Sequence, residues 1–177
     1  MHTPPSVGHA ATPARAPRLC ALGPQAALPD LDQAASLGFD HVLLPAARPD
    51  MAPFIAAAQG HGMSVLVDLN VDRVPTEGMA NGSLPSVFIL PPASTTDPRR
   101  PPAAAQAATA TVTDEEDAEL LAEFWAPRIA TWTSMGIAGV RLLGLDSLPA
   151  AAVAPFLIRL RARCPKAILF AWTPGLP

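Results

Sequence analysis

Residues 138–148 read AGVRLLGLDSL, an apolar run broken by a single cation, Arg141. Gly139 to Leu145 has the length and content of a strand covered on both faces, which is apolar throughout rather than alternating. Four further segments match it. They are Arg18 to Leu22, His41 to Leu44 (HVLL), Ser64 to Leu69 (SVLVDL) and Ala167 to Trp172 (AILFAW). The third carries Asp68 and the fourth Arg141 among apolar neighbours.

Helical patterns fill the gaps between them. Pro29-Asp30 opens a helix with Leu31, Ala34, Ala35 and Leu37 on its inner side and Gly38 as its stop. Asp50 is placed to cap a second helix, in which Phe54, Ile55, Ala58 and His61 recur at helical spacing before Gly62. Thr113-Asp114-Glu115-Glu116 has the form of a capping box, Thr113 and Glu116 each satisfying the other's free amide. The helix it starts places Leu121, Phe124, Trp125, Ile129 and Trp132 on one stripe, a core pattern, with Pro127 expected to kink or restart it. Asp146-Ser147 is expected to cap the last helix, which carries Val153, Phe156, Leu157 and Leu160 around Pro155.

Strands alternating with helices predict an α/β fold with about five parallel strands and flanking helices, a partial (β/α)8 TIM-type barrel. Residues 1–17 are polar, Pro-rich and aperiodic and read as a disordered lead-in, which leaves 18–177 as the barrel domain. Residues 75–112 form a long irregular excursion in which Val87 to Leu90 is a short apolar piece. Eight strands need roughly 250 residues. The 177 residues present are therefore expected to be part of a longer polypeptide. Open first and fifth strands would favour self-association.

Composition narrows the function. The chain is 50% hydrophobic and 15% charged, with a formal net charge of −3, so it lacks the basic patch a nucleic-acid partner requires. No apolar run approaches the ~20 residues of a membrane helix, and the N-terminus lacks a signal-peptide core. A reducing cytoplasmic location is the default. Cys20 and Cys164 read as buried thiols, and His41 and His61 lack ligand spacing. Gly8, Gly78 and Gly82 are too scattered for a phosphate loop, and Ser147 has no nucleophile context. No metal or cofactor is expected.

Three segments, in order and at the right spacing, resemble the α-amylase superfamily of glycoside hydrolases. LGFDHV (37–42) is similar to that family's second-strand entry, GHGMSVLVDL (60–69) to its third strand, and GIAGVR (136–141) to its fourth. VDLNVDRV, DPRRPPAA and FAWTPGLP look like the degenerate amylase-type domain that precedes the catalytic part of bacterial α-glucan:maltose-1-phosphate maltosyltransferases. The resemblance implies a catalytic aspartate two residues after Arg141, where Leu143 stands. It implies a general acid within LFAW, where Phe170, Ala171 and Trp172 offer none, and Asn-His where Asp72-Arg73 stands. Retaining chemistry of this kind needs two carboxylates about 5 Å apart.

No catalytic residue is therefore assigned. Alternation along the fourth strand puts Gly139, Arg141 and Leu143 toward the barrel interior and Val140 and Leu142 toward the helices. Asp68 and Arg141 persist from the family pattern, as an ion pair that satisfies the buried charge or as a residual sugar or phosphate contact. Trp172, at a strand's C-terminal end, is a further candidate for stacking on a sugar. Asp146 reads as a helix cap outside the barrel mouth.

The reading is a non-catalytic amylase-like segment in α-glucan metabolism, a glycan binder or a scaffold. Its expected partners are an α-glucan or maltooligosaccharide and a catalytic module in the same polypeptide. The alternatives are a protein–protein interaction domain without sugar affinity, or an unrelated TIM-barrel enzyme combining Asp68 and Arg141 with residues of 75–112.

Overall fold

A computed structural model of the chain describes residues 16–46, 51–75, 84–90 and 107–173. Five strands form one parallel sheet: β1 (Leu19–Ala21), β2 (His41–Pro45), β3 (Ser64–Asn70), β7 (Gly139–Leu143) and β8 (Ile168–Ala171). They are ordered β1-β2-β3-β7-β8. Each strand therefore lies beside the next major strand in the chain, which is the winding of a TIM barrel.

The helices α1 (Leu28–Ser36), α2 (Met51–Gly60), α3 (Glu115–Ser134) and α4 (Ala150–Arg163) connect them. On the helix-covered side, Val42, Leu44, Val65, Val67, Val140 and Leu142 meet Leu31, Phe54, Leu121, Ile129, Phe156 and Leu160 in one contiguous core. All twelve are at most 2% exposed. A fully buried side chain of this kind contributes about 1.5–3 kcal/mol, so this layer holds the sheet and helices together.

The described parts of the excursion, 84–90 and 107–112, are more ordered than their composition suggests. β4 (Arg73–Pro75), β5 (Phe88–Ile89) and β6 (Ala107–Ala110) make a three-stranded antiparallel sheet in the order β4-β6-β5. Val74, Phe88 and Ala108 are buried in it and join the main core. Strands of two to four residues (Arg-Val-Pro, Phe-Ile and Ala-Ala-Thr-Ala) are too short to show a period. Pairing supplies what propensity does not.

Several local expectations are corrected. Leu37 lies outside α1 and is 55% exposed. The cap of α3 is shifted by one residue. Asp114 accepts from the Asp117 amide at 3.0 Å, while the Thr113 amide and hydroxyl both donate to the Asp117 carboxylate at 2.8 Å. A carboxylate at the N-cap accepts as well as a hydroxyl and adds charge that suits the helix dipole.

Helix α3 runs uninterrupted through Pro127 and α4 through Pro155. Asp146 and Ser147 do not cap α4. They belong to a 3-10 turn, Leu145–Ser147, and α4 starts after Pro149 with no side-chain cap. Gly144 decides this. Its φ of 77° turns the chain at the end of β7, and a β-carbon there would lie 2.3 Å from Asp72 Oδ1. Asp50 lies outside the described residues, as does the lead-in apart from Ala16 and Pro17.

Candidate functional site

The parallel register aligns Pro45, Asp68, Arg141 and Phe170 in one row across β2, β3, β7 and β8. Neighbouring strands run about 4.8 Å apart, so the side chains of Asp68 and Arg141 stand side by side on the face away from the helices. Arg141 Nε donates to Asp68 Oδ1 at 2.7 Å and Nη2 donates to Oδ2 at 2.8 Å. This is the bidentate fork, the strongest form of the pair. The two side chains retain 19% and 26% of their exposure.

Trp172 completes the cluster. Its amide donates to the Leu142 carbonyl at 3.0 Å, extending the ladder one residue past β8. Its ring centroid lies 5.5 Å from the Arg141 guanidinium carbon, within cation–π range. The ring is 47% exposed. The structure thus brings together the three candidate residues at the C-terminal ends of the strands, the end that carries the active sites of this fold.

Leu143 is one step further up β7, in register with Asn70. It borders a cavity of about 490 Å³ together with Asp68 and Asn70. The nearby carboxylates are engaged elsewhere or displaced. Asp68 is held by Arg141. Asp72 is 4% exposed, packed against Gly144 and 3.5 Å from Arg73 Nε. Asp146 is exposed in its turn.

The sequence pattern gives no sign that the far wall of that cavity forms a site. Trp125, Arg128 and Trp132 line it from α3, and Arg73 and Pro75 from β4. Spacings of three and four residues put the α3 trio on one helix face, a pattern that reads equally well as core. Trp125 does belong to the core, with its indole N–H donating to the Val71 carbonyl at 3.1 Å, but Trp132 is only half-buried. Arg128 lies 3.9 Å over the Phe124 ring and 5.5 Å from that of Trp125, and donates to the Phe124 carbonyl at 3.1 Å. Burial pulls its pKa below the usual guanidinium value.

The remaining candidates carry no chemistry. His61 pairs with Asp32 at 2.8 Å on the surface, and His41 Nδ1 is buried without a hydrogen-bond partner. Cys20 and Cys164 are free thiols, the latter pushed up in pKa by burial. Among the described residues, no cluster of His, Cys, Asp or Glu is fit to hold a metal ion, and no helix is long and apolar enough to cross a membrane.

No protein-family model and no curated protein sequence matches the chain. Solved structures do. The glycoside hydrolase domain of PelA from Pseudomonas aeruginosa superposes with a TM-score of 0.55 at 21% identity, over 90% of this chain and 63% of that one. An α-galactosidase from Thermus thermophilus gives 0.63 at 18% identity, over 92% of this chain and 41% of that one. A maltogenic α-amylase from Thermotoga neapolitana gives 0.61 at 14% identity, over 89% and 46%. The likeness shows the fold, part of a TIM-type barrel such as these glycoside hydrolases have. The chain spans between two fifths and two thirds of the length of these structures.

Proposed function

We propose that this chain is a non-catalytic, amylase-like barrel segment that serves α-glucan metabolism as a glycan-binding element or scaffold for a catalytic module in the same polypeptide. The observation that carries the reading is the Asp68–Arg141–Trp172 cluster at the strand ends, beside Leu143. The guanidinium fork and a half-exposed indole suit a sugar ring, whose apolar face stacks on aromatics. A leucine at the position the amylase resemblance assigns to the nucleophile cannot attack an anomeric carbon. The likeness to the amylase-type domain of maltosyltransferases adds the substrate class, a maltooligosaccharide.

Calorimetric titration with maltoheptaose tests this. Binding is expected, weakened tenfold or more by Trp172→Ala, with no hydrolysis or maltosyl transfer. Turnover above background would overturn the inactive assignment, and absence of binding the glycan one. Ile168, 40% exposed at the start of β8, the outermost described strand, favours the second reading, a protein-interaction surface. That reading predicts no sugar binding at all.

A further inference from the structure

The cavity against α3 has the properties of a second ligand site. Its volume of about 490 Å³ falls in the range of small-molecule pockets, which are mostly apolar with a few convergent polar groups. Here the apolar walls include Trp125 and Trp132, and the polar groups are Arg73, Arg128, Asn70 and Asp68. The only carboxylate among these, Asp68, is neutralised by its fork to Arg141. The surplus charge facing the cavity is positive.

Arg128 is the decisive group. A guanidinium has five N–H donors, and among the described residues this one has a single acceptor, the Phe124 carbonyl, reached through Nη1. Among the described residues no carboxylate pairs with it. Its ring contacts to Phe124 and Trp125 fix its position, so the remaining donors are held ready rather than free to wander. Arg73, its side chain 64% exposed and loosely paired with Asp72 at 3.5 Å, adds N–H donors at the edge of the cavity.

We propose that this cavity binds a small organic anion, a carboxylate or phosphate monoester borne on a flat ring. Arg128 receives the oxyanion, Arg73 assists from the edge, and Trp125 and Trp132 cover the ring. The cavity shares Asp68 and Leu143 with the Trp172 cluster, but Trp172 does not line it, so anion binding there does not require that indole.

The test is calorimetry on the full chain at low salt, with benzoate and phenyl phosphate as ring anions, benzamide as the neutral analogue and inorganic phosphate as the anion without a ring. At least one ring anion is expected to bind ten times more tightly than benzamide and inorganic phosphate. Arg128→Gln should lose that preference, Arg73→Gln should weaken binding two- to fivefold, and Trp172→Ala should leave it unchanged. The ring anion that binds distinguishes carboxylate from phosphate. No binding of either at millimolar concentration overturns the proposal, as does undiminished binding by Arg128→Gln. If Arg128→Gln does not fold, Arg73→Gln and Trp132→Leu decide: undiminished binding by both refutes the site.

Discussion

Replacing Asp68 by leucine removes one half of the fork on β3 and β7 and leaves the Arg141 guanidinium with Trp172 as its side-chain contact among the described residues. Stripping one partner from a fully buried pair costs about 3–5 kcal/mol. Here 19% and 26% of the two side chains remain in contact with solvent. Water can therefore recover part of the loss, and the expected cost falls to about 2 kcal/mol. Arg141→Met strips the carboxylate instead and should cost a similar amount. The double variant removes both charges, so neither is stranded. It should lie within about 1 kcal/mol of the parent, because apolar replacements of whole buried pairs are often neutral. Urea unfolding of the four proteins measures the cycle, and thermal melts should show each single variant about 4–8 °C lower. Single variants that each cost less than about 0.5 kcal/mol, and costs that add in the double, would refute the claim that the pair stands or falls as a unit.

Two further perturbations probe the frame that positions this pair. Gly139→Ala should be severely destabilising and yield insoluble protein, because the added β-carbon would lie 2.0 Å from the Ile168 carbonyl oxygen and force β8 off the sheet; a soluble variant with parental circular dichroism and melting would contradict the observed strand contact. Asp117→Asn should cost about 0.5–1 kcal/mol at neutral pH. Hydrogen bonds from the Thr113 amide and hydroxyl hold the Asp117 carboxyl below its ordinary pKa. A folded pKa below the unfolded one stabilises at pH above the unfolded value and fades as pH falls through the folded value. The gap between parent and variant in urea unfolding should therefore close below about pH 4; a gap that persists at pH 2 would point to lost packing instead of lost charge.

Much of the candidate site was legible because it rests on period-two alternation within buried strands. Asp68 and Arg141 were the charges carried inside otherwise apolar runs, and strand order in a βα chain makes their strands neighbours. The cavity was not legible for a different reason. Trp125, Arg128 and Trp132 follow the same helical spacing as core residues, and only the turn of the chain through β4 shows that part of their face is left open. The cap of α3 was misplaced by one residue because Thr113, Asp114, Glu116 and Asp117 all have capping side chains, and the helix start is chosen by packing rather than by the cap.

The sequence by itself determined the alternation of strands and helices, the winding of the parallel sheet and the meeting of one acid with one guanidinium, since each follows from local hydrophobic period and chain order. Tertiary structure alone decided that residues 73–75, 88–89 and 107–110 pair into a small sheet, that Gly144 diverts Asp146 away from α4, and that Arg128 is left with donors to spare beside two indoles. These depend on contacts between residues tens of positions apart, where the free energy lies in shape and desolvation and leaves no periodic mark on the chain.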